Sequence, residues 1–421
     1  MKDYSKEELM KMLDDNKQKY EEIKARGMKL DLSRGKPSPD VLDLSNGLLS
    51  ALSTYKTENG TDVRNYGVLD GIPEAKKMFS DLLNIPEDKI IVGGNSSLNH
   101  MANAISFIYL FGTQGETPWG KLDKVKILCP CPGYDRHFAL TADFGAEMII
   151  VPMTENGPDM DMVEELVAND PAVKGIWCVP LYSNPEGVCY SDETVQRLAS
   201  MNTAAPDFRI FWDNAYCIHH IFDEHHSADV IKLAEDAGNP NRPMCFFSTS
   251  KITFPGGGIA IIASSDDNIK EFISHMKLQT IGYNKINQLK HVEHFEGSAQ
   301  KIKDHMKEVA KLIRPKFDVV LETLDREFSE NGFVEWVKPL GGYFVSINVA
   351  EGCAKKVVAM AKEAGATLST AGSTYPHGID PKDSNIRIAP TYPDLEELKA
   401  TMELLVVCVN IVTAEKLLQS M

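Results

Sequence analysis

Short runs of apolar residues alternate with helical or loop segments through the middle of the chain. The runs are apolar throughout rather than alternately polar, which is typical of strands buried on both faces of a sheet. We predict six strands, at residues 125–129, 147–152, 175–180, 208–212, 244–248 and 258–263. Alternation of strands and helices in this way predicts an α/β fold with a mainly parallel sheet.

The pattern changes after about residue 298. An amphipathic helix is predicted at 299–330, followed by the segment Gly341-Gly342-Tyr343-Phe344, a strand, a helix, a strand at 386–389 and a terminal helix. At the other end, residues 1–27 read as a surface helix that Gly27 ends, and residues 31–52 are rich in loop formers. We therefore predict a large domain at 53–298 and a smaller α+β domain built from 1–52 and 299–421.

Composition narrows the class of protein. Hydrophobic residues make up 43% and charged residues 25% of the 421-residue chain, which are ordinary values for a globular protein. The 44 basic side chains are outnumbered by 60 acidic ones, giving a net charge of −16. That balance argues against a nucleic-acid partner, because phosphate backbones are bound by concentrated Lys and Arg.

Location follows from what the hydrophobic segments and cysteines indicate. The N-terminal stretch lacks the apolar core of a secretory signal, and the apolar run at 404–409 is far short of the roughly 20 residues that cross a bilayer. We expect no membrane association. The eight cysteines show no paired spacing and mostly fall in apolar segments, as buried reduced thiols do. A cytoplasmic location is therefore expected.

Polar residues gather where the predicted strands end. Asp213 directly follows one strand with Tyr216 three residues later, Lys251 follows another, and Asn184 follows a third. The segment Gly93-Gly94-Asn95-Ser96-Ser97 precedes an apolar helix, whose free N–H groups can hold a phosphate. Singly, each has an ordinary explanation as a cap, a turn or a surface charge. Together they predict a binding site, because ligands of open parallel sheets lie beyond the carboxyl ends of the strands.

In motif order and spacing the chain resembles pyridoxal 5′-phosphate (PLP) enzymes of fold type I, specifically the aspartate aminotransferase family. The stretch at 132–137, Pro-Gly-Tyr-Asp-Arg-His, resembles a divergent bacterial subgroup called type Ic. The resemblance implies a large domain with a mainly parallel seven-stranded sheet flanked by helices, plus a smaller α+β domain. It is carried by Ser33-Arg34-Gly35-Lys36-Pro37, Asn65-Tyr66-Gly67, Asn184-Pro185-Glu186-Gly187, Asp213-Asn214-Ala215-Tyr216, Ser248-Thr249-Ser250-Lys251 and Arg387-Ile388-Ala389-Pro390.

The same resemblance assigns roles around the PLP ring. It makes Lys251 the amine that forms the Schiff base and later moves a proton at the substrate Cα. Asp213 would keep the ring nitrogen protonated, so that the ring serves as an electron sink. Tyr216 and Asn184 would hydrogen-bond the ring hydroxyl oxygen, and Tyr134 would stack on the ring.

For the phosphate, the resemblance implies the start of the apolar helix together with one residue beside the lysine: Asn95, Ser96, Ser97 and Ser248. Tyr66 matches a tyrosine that reaches the phosphate from the neighbouring subunit, which implies a homodimer with shared active sites. An arginine that family members carry shortly after the lysine is missing here, where Pro255-Gly256-Gly257-Gly258 follows. Lys285 is our candidate for the missing charge, with a solvated loop lysine as the equal alternative.

For the substrate, the resemblance implies an amino acid and a 2-oxo acid, most simply aspartate and 2-oxoglutarate. Arg387 matches the fork that binds the α-carboxylate, since a guanidinium binds a carboxylate through two parallel bonds. Gly35 lies in the loop that contacts substrate. The distal carboxylate needs a second cation: Arg136 is our first choice, and Arg34 and Lys36 are the other candidates.

Other functions remain consistent with the sequence. The same fold and cofactor serve aminotransferases for aromatic amino acids or alanine, and β-lyases, because the pocket decides the outcome. A non-enzymatic, ligand-sensing regulator is a third reading, although the 50-odd residues before the large domain leave no room for a DNA-binding domain. No metal is expected, because the pairs His219-His220 and His225-His226 lack the spacing of known zinc motifs.

Overall fold

A computed structural model describes residues 4–421 of the chain. The strands in this part of the chain are Leu30–Asp31 (β1), Ile90–Val92 (β2), Lys126–Cys131 (β3), Glu147–Thr154 (β4), Gly157–Pro158 (β5), Val173–Cys178 (β6), Arg209–Asp213 (β7), Pro243–Ser248 (β8), Ala260–Ser264 (β9), Val334–Trp336 (β10), Val345–Val349 (β11), Ala366–Thr367 (β12) and Asn385–Ile388 (β13).

The α-helices are Lys6–Ala25 (α1), Pro39–Asp43 (α2), Pro73–Leu83 (α3), Ser97–Phe111 (α4), Asp135–Asp143 (α5), Met160–Asn169 (α6), Asp192–Ser200 (α7), Val230–Asp236 (α8), Asp266–Met276 (α9), Lys285–His294 (α10), Ala299–Phe328 (α11), Ala354–Glu363 (α12) and Leu395–Ser420 (α13). Of these helices in residues 4–421, none combines the length and apolar character needed to span a membrane.

The large sheet has eight strands in the order β2-β9-β8-β7-β6-β3-β4-β5. Strands β8, β7, β6, β3 and β4 are mutually parallel, whereas β9 is antiparallel to both of its neighbours. Every position of β6, β7 and β9 is buried, as the continuous apolar runs indicate. The predicted α/β class, the mainly parallel sheet and all six predicted strands are confirmed.

The sheet has one strand more than the seven that the resemblance implied. The two-residue strand β5 pairs antiparallel with the end of β4 at the sheet edge, with Gly157 opposite Thr154. A pairing this short has no hydrophobic period of its own, so the sequence gives no signal for it.

The remaining strands form two small sheets. Strands β10, β11 and β13 are antiparallel, and β1 pairs in parallel with β12. Leu30 is opposite Ala366 in that pair, and the Tyr20 hydroxyl on α1 donates to the Met360 carbonyl at 2.9 Å. The N-terminal segment thus packs with the C-terminal part of the chain. The division at residues 53 and 298 stays a prediction.

Local sequence signals set both ends of helix α1. Helix α1 begins after Ser5, whose hydroxyl accepts the Glu8 N–H while the Glu8 carboxylate accepts the Ser5 N–H. It ends at Ala25, and Gly27 then takes a positive φ of 65°, a conformation that favours glycine. All eight cysteines are free thiols, as predicted.

Candidate active site

A cavity of about 300 Å³ lies beyond the carboxyl ends of β7 and β8. It is also bounded by the start of α4 and by a loop that runs through residues 35–37. Nine of the predicted site residues line it: Gly35, Ser96, Ser97, Tyr134, Asn184, Asp213, Tyr216, Ser248 and Lys251. Residues that are up to 216 positions apart in sequence therefore meet in one small volume.

Asp213 is the last residue of β7 and is only 4% exposed. His137 Nε2–H donates to its Oδ2 at 3.0 Å, whereas its Oδ1 is buried and has no partner among residues 4–421. A buried carboxylate oxygen is costly to leave without a donor. Asp213 Oδ1 is therefore available to accept an N–H from a molecule bound in the cavity.

His137 is a site residue for which the sequence analysis gave no role. Its ring stacks on Trp177 with centroids 4.2 Å apart and planes 4° apart. The Trp177 indole N–H donates to Thr141 Oγ1 at 2.9 Å, so the indole is held as well. His137 lies in the first turn of α5, three residues after Tyr134, and that helical spacing was the available signal.

Lys251 ends a 3₁₀ turn, Thr249–Lys251, that directly follows β8. Its ammonium lies 4.8 Å from the centroid of the Tyr216 ring and 5.8 Å from that of Tyr343. Its carbonyl accepts hydrogen bonds from the Tyr343 hydroxyl and from His219 Nε2–H, both at 3.4 Å. Tyr343 and His219, which the sequence analysis did not assign to the site, thus fix the backbone of this lysine.

Burial sets the protonation of the aromatic groups in the site. Desolvation raises the pKa of Tyr216 and of Tyr343 far above the ordinary phenol value. Desolvation also raises the pKa of Tyr134 to about 12 and lowers that of His219 to about 3. These four side chains are therefore uncharged at neutral pH.

The side of the cavity next to the start of α4 presents hydroxyl and N–H groups. Ser96 caps α4 by accepting the Leu98 N–H at 3.3 Å. Ser248 Oγ–H donates to Ser250 Oγ at 3.1 Å, and Ser250 Oγ–H donates to the Asn95 carbonyl at 3.3 Å. A helix N-terminus lined with hydroxyls is an anion site. Asn95 therefore adjoins this site through its backbone rather than lining the cavity.

Arg387, on β13, approaches the cavity from the small antiparallel sheet and is 8% exposed. Its Nε–H donates to Ser369 Oγ at 3.2 Å, and its Nη1 donates to Asn184 Oδ1 at 3.2 Å. The guanidinium carbon lies 4.9 Å from the centroid of the Phe344 ring. Phe344 also explains Gly35, since a Cβ at that position would lie 2.5 Å from the ring.

Of four further candidate residues, Lys285, Tyr66 and Arg136 do not line the cavity, whereas Lys36 does. Lys285 is 4% exposed and its ammonium donates to the Gly67 carbonyl at 2.8 Å, so it is not a solvated loop lysine. Tyr66 is 80% exposed, and Arg136 is exposed and does not line the cavity. Lys36 lines the cavity, with its ammonium 3.8 Å from the Tyr392 ring centroid. The roles assigned to Tyr66, Lys285 and Arg136 stay predictions.

The fold and the lysine-containing cavity suit an aminotransferase of fold type I, and comparison with known proteins shows the family. A family model described as aspartate amino-transferase matches residues 4–421. An aspartate aminotransferase of Corynebacterium glutamicum is 46% identical over 419 residues, which cover 99% of this chain and 96% of that protein. The chain belongs to the aspartate aminotransferase family.

Solved structures agree with this assignment. The crystal structure of an aspartate transaminase from Corynebacterium glutamicum superposes with a TM-score of 0.96 at 46% identity, covering 98% of each chain. An α-aminoadipate aminotransferase from Thermus thermophilus shares the fold, with a TM-score of 0.74 at 19% identity over 94% of this chain and 95% of that one. That protein was crystallised with N-(5′-phosphopyridoxyl)-L-leucine.

Proposed function

We propose that this protein is a homodimeric, PLP-dependent aspartate aminotransferase with 2-oxoglutarate as amino acceptor. The observation that carries the proposal is the cavity itself, which has the unpartnered Asp213 Oδ1 at its floor, Lys251 in its wall and the Arg387 fork beside it. The relative of Corynebacterium glutamicum described as an aspartate aminotransferase supports the choice of donor.

The donor set of the cavity fits PLP. Asp213 Oδ1 would accept the N–H of the protonated ring nitrogen, and the Tyr216 hydroxyl and Asn184 amide would donate to the ring hydroxyl oxygen. Tyr134 would cover one face of the ring, and the start of α4 would hold the phosphate. When bound, PLP supplies an electron sink for charge that develops at the substrate Cα.

The side chains of this protein supply orientation and proton transfer. Arg387 would bind the α-carboxylate of the amino acid through parallel N–H bonds, which fixes the Cα relative to Lys251. Lys251 would hold the cofactor through its amine and, once free, carry the proton to and from Cα. His137 holds Asp213 Oδ2, which leaves Oδ1 for the cofactor.

Homodimer formation is supported by one exposed surface. Tyr66, Leu278 and Ile281 are 80%, 81% and 63% exposed. Their loops are packed together, because Lys285 donates to the Gly67 carbonyl and a Cβ on Gly282 would lie 2.5 Å from the same oxygen. A second copy covering this surface would bury these side chains, and Tyr66 would then reach the phosphate of the partner.

A half-reaction screen tests the proposal. The purified yellow holoenzyme is mixed with one amino acid at a time, and loss of the yellow absorbance is followed by stopped flow. We expect aspartate and glutamate to react fastest, with the colour restored by 2-oxoglutarate. Faster reaction with alanine or phenylalanine would contradict the choice of donor, and a monomeric mass by light scattering would contradict the dimer.

A further inference from the structure

Arg387 has a charged neighbour besides the neutral groups that hold it. Its Nη1 lies 3.4 Å from Asp135 Oδ1, and the Asp135 side chain is 38% exposed, compared with 8% for the arginine. Asp135 is the first residue of α5, which follows strand β3 of the large sheet, whereas Arg387 lies on β13 of the small antiparallel sheet. The ion pair therefore joins the two parts of the molecule that flank the cavity.

The donors of Arg387 can be counted. Nη1 carries two N–H groups, and Asn184 and Asp135 accept from this nitrogen. Nε carries one, and Ser369 accepts it. Nη2 has no acceptor among residues 4–421.

A carboxylate that binds an arginine through two parallel bonds needs two neighbouring nitrogens. Nη2 is free, but each possible second nitrogen is already engaged. Nε is held by the neutral Ser369 hydroxyl. Nη1 is held by the neutral Asn184 amide and by the Asp135 carboxylate, a group of the same chemical kind as the ligand.

We propose that Asp135 is a resident competitor for Arg387, which occupies Nη1 while the site is empty and is displaced by the α-carboxylate of the substrate. This inference rests on the proposed function, because it takes Arg387 as the receptor for that carboxylate. Asp135 keeps the buried guanidinium paired between turnovers and weakens the binding of every carboxylate ligand. It thereby sets the KM and favours release of product.

Competition explains the geometry better than positioning does. Arg387 is already oriented by Ser369, Asn184 and the Phe344 ring. The Asp135 contact, at 3.4 Å, is the longest of its polar contacts, and its carboxylate is the most exposed of its partners that the structure describes. A group that must leave for each substrate molecule needs room to move toward solvent, and Asp135 has it.

The test measures binding of succinate, a dicarboxylate without an amine, to the holoenzyme by isothermal titration calorimetry. We expect Asp135→Asn and Asp135→Ser to tighten succinate binding by about threefold to fivefold, the scale of removing a partly exposed charge pair. The KM values for aspartate and for alanine should fall by similar factors without a rise in kcat, because both donors carry an α-carboxylate.

Asp192→Asn is the matched control. Asp192 is also the first residue of a nine-residue helix, so this variant removes the same charge from an equivalent position away from the cavity. We expect it to bind succinate as the wild type does. Serine, like aspartate, suits the start of a helix. If one of the two Asp135 variants folds poorly, succinate binding to the other variant still tests the inference.

Two results would overturn the inference: unchanged or weaker succinate binding in both Asp135 variants, or tightening in Asp192→Asn to the same extent. Arg387→Lys separates this failure from that of the proposed function. If Arg387→Lys binds succinate as well as the wild type, the role of Arg387 itself is wrong. If it binds succinate poorly and the Asp135 variants show no gain, only the competitor role is wrong.

Discussion

The two ends of the cavity differ in how firmly this chain fixes them. At the sheet end, Asp213 is the last residue of β7, where it is paired in register with Phe246, and Lys251 follows the neighbouring parallel strand β8. At the outer end, the candidate cations for a distal carboxylate, Arg34, Lys36 and Arg136, are all exposed, and Lys36 alone of these three lines the cavity. Groups at the sheet end are set by backbone hydrogen bonds, whereas those at the outer end lie on loops or at a helix start.

That difference separates chemistry from specificity. Proton transfer and charge stabilisation require groups fixed to within a fraction of an ångström, and the sheet end provides them with buried partners. Recognition of a side chain varies among members of one fold and is placed where substitution does not disturb the sheet. Changes at the sheet end should therefore abolish turnover of every substrate, whereas changes at the outer end should alter the choice among substrates.

The largest effect is expected for Lys251→Ala, which removes the only amine proposed to hold the cofactor and move the proton. Transamination and the yellow absorbance should both be lost. Lys355→Ala, an exposed lysine on α12, is the control and should behave as wild type. Borohydride reduction followed by mass spectrometry of the wild type should find the pyridoxyl group on Lys251, and finding it on another lysine would contradict the assignment.

Asp213→Asn should have the next largest effect. The amide keeps the shape of the carboxylate but not its charge, so activity should fall by about 10²- to 10³-fold, the scale of losing one electrostatic partner of the reacting group. The cofactor should still bind, because the loss concerns the transition state. Near-normal turnover would rule out the charge as the function of this residue.

A comparison variant sharpens the Asp213 result. His137→Phe keeps a ring on Trp177 but removes the hydrogen bond to Asp213 Oδ2. Activity should fall by about tenfold, the scale of one charge-assisted hydrogen bond. A loss as large as that of Asp213→Asn would mean that Asp213 depends fully on this hydrogen bond, whereas unchanged activity would contradict a positioning role for His137.

The same contrast explains how much the sequence could predict. Continuous apolar runs identified the six long strands of the large sheet, and the rule that ligands gather at strand ends placed Asp213 and Lys251 in one site. Local pattern gave no sign of the two-residue strand β5, which exists only through its pairing with β4. It also missed Asp135 and Ser369, because their meeting with Arg387 depends on how α5 and the small sheet pack in space.

Arg136→Ala tests the outer end directly. If Arg136 binds the distal carboxylate, kcat/KM for aspartate and glutamate should fall by a factor that corresponds to the loss of about 2 to 3 kcal/mol of transition-state stabilisation. The kcat/KM for alanine and phenylalanine should change little. Lys36→Ala is the matched comparison, because Lys36 lines the cavity of its own chain whereas Arg136 does not. A selective loss in the Lys36 variant alone would transfer the role to Lys36.

The smallest effect is expected for Lys285→Met, which keeps the buried aliphatic stem and removes the charge. If Lys285 supplies the counter-charge for the phosphate of the partner, PLP retention on dialysis should weaken by about 1 kcal/mol.

Lys285 also donates to the Gly67 carbonyl, so the same loss could arise through the loop that carries Tyr66. Tyr66→Phe separates the two causes, because it removes the Tyr66 hydroxyl but leaves the hydrogen bond from Lys285 to the Gly67 carbonyl intact. Lys290→Met, on the same helix, is the control for a lost charge. Full PLP retention in Lys285→Met would leave the start of α4 and the serine hydroxyls as the phosphate holders, and the phosphate site would then be built without this lysine.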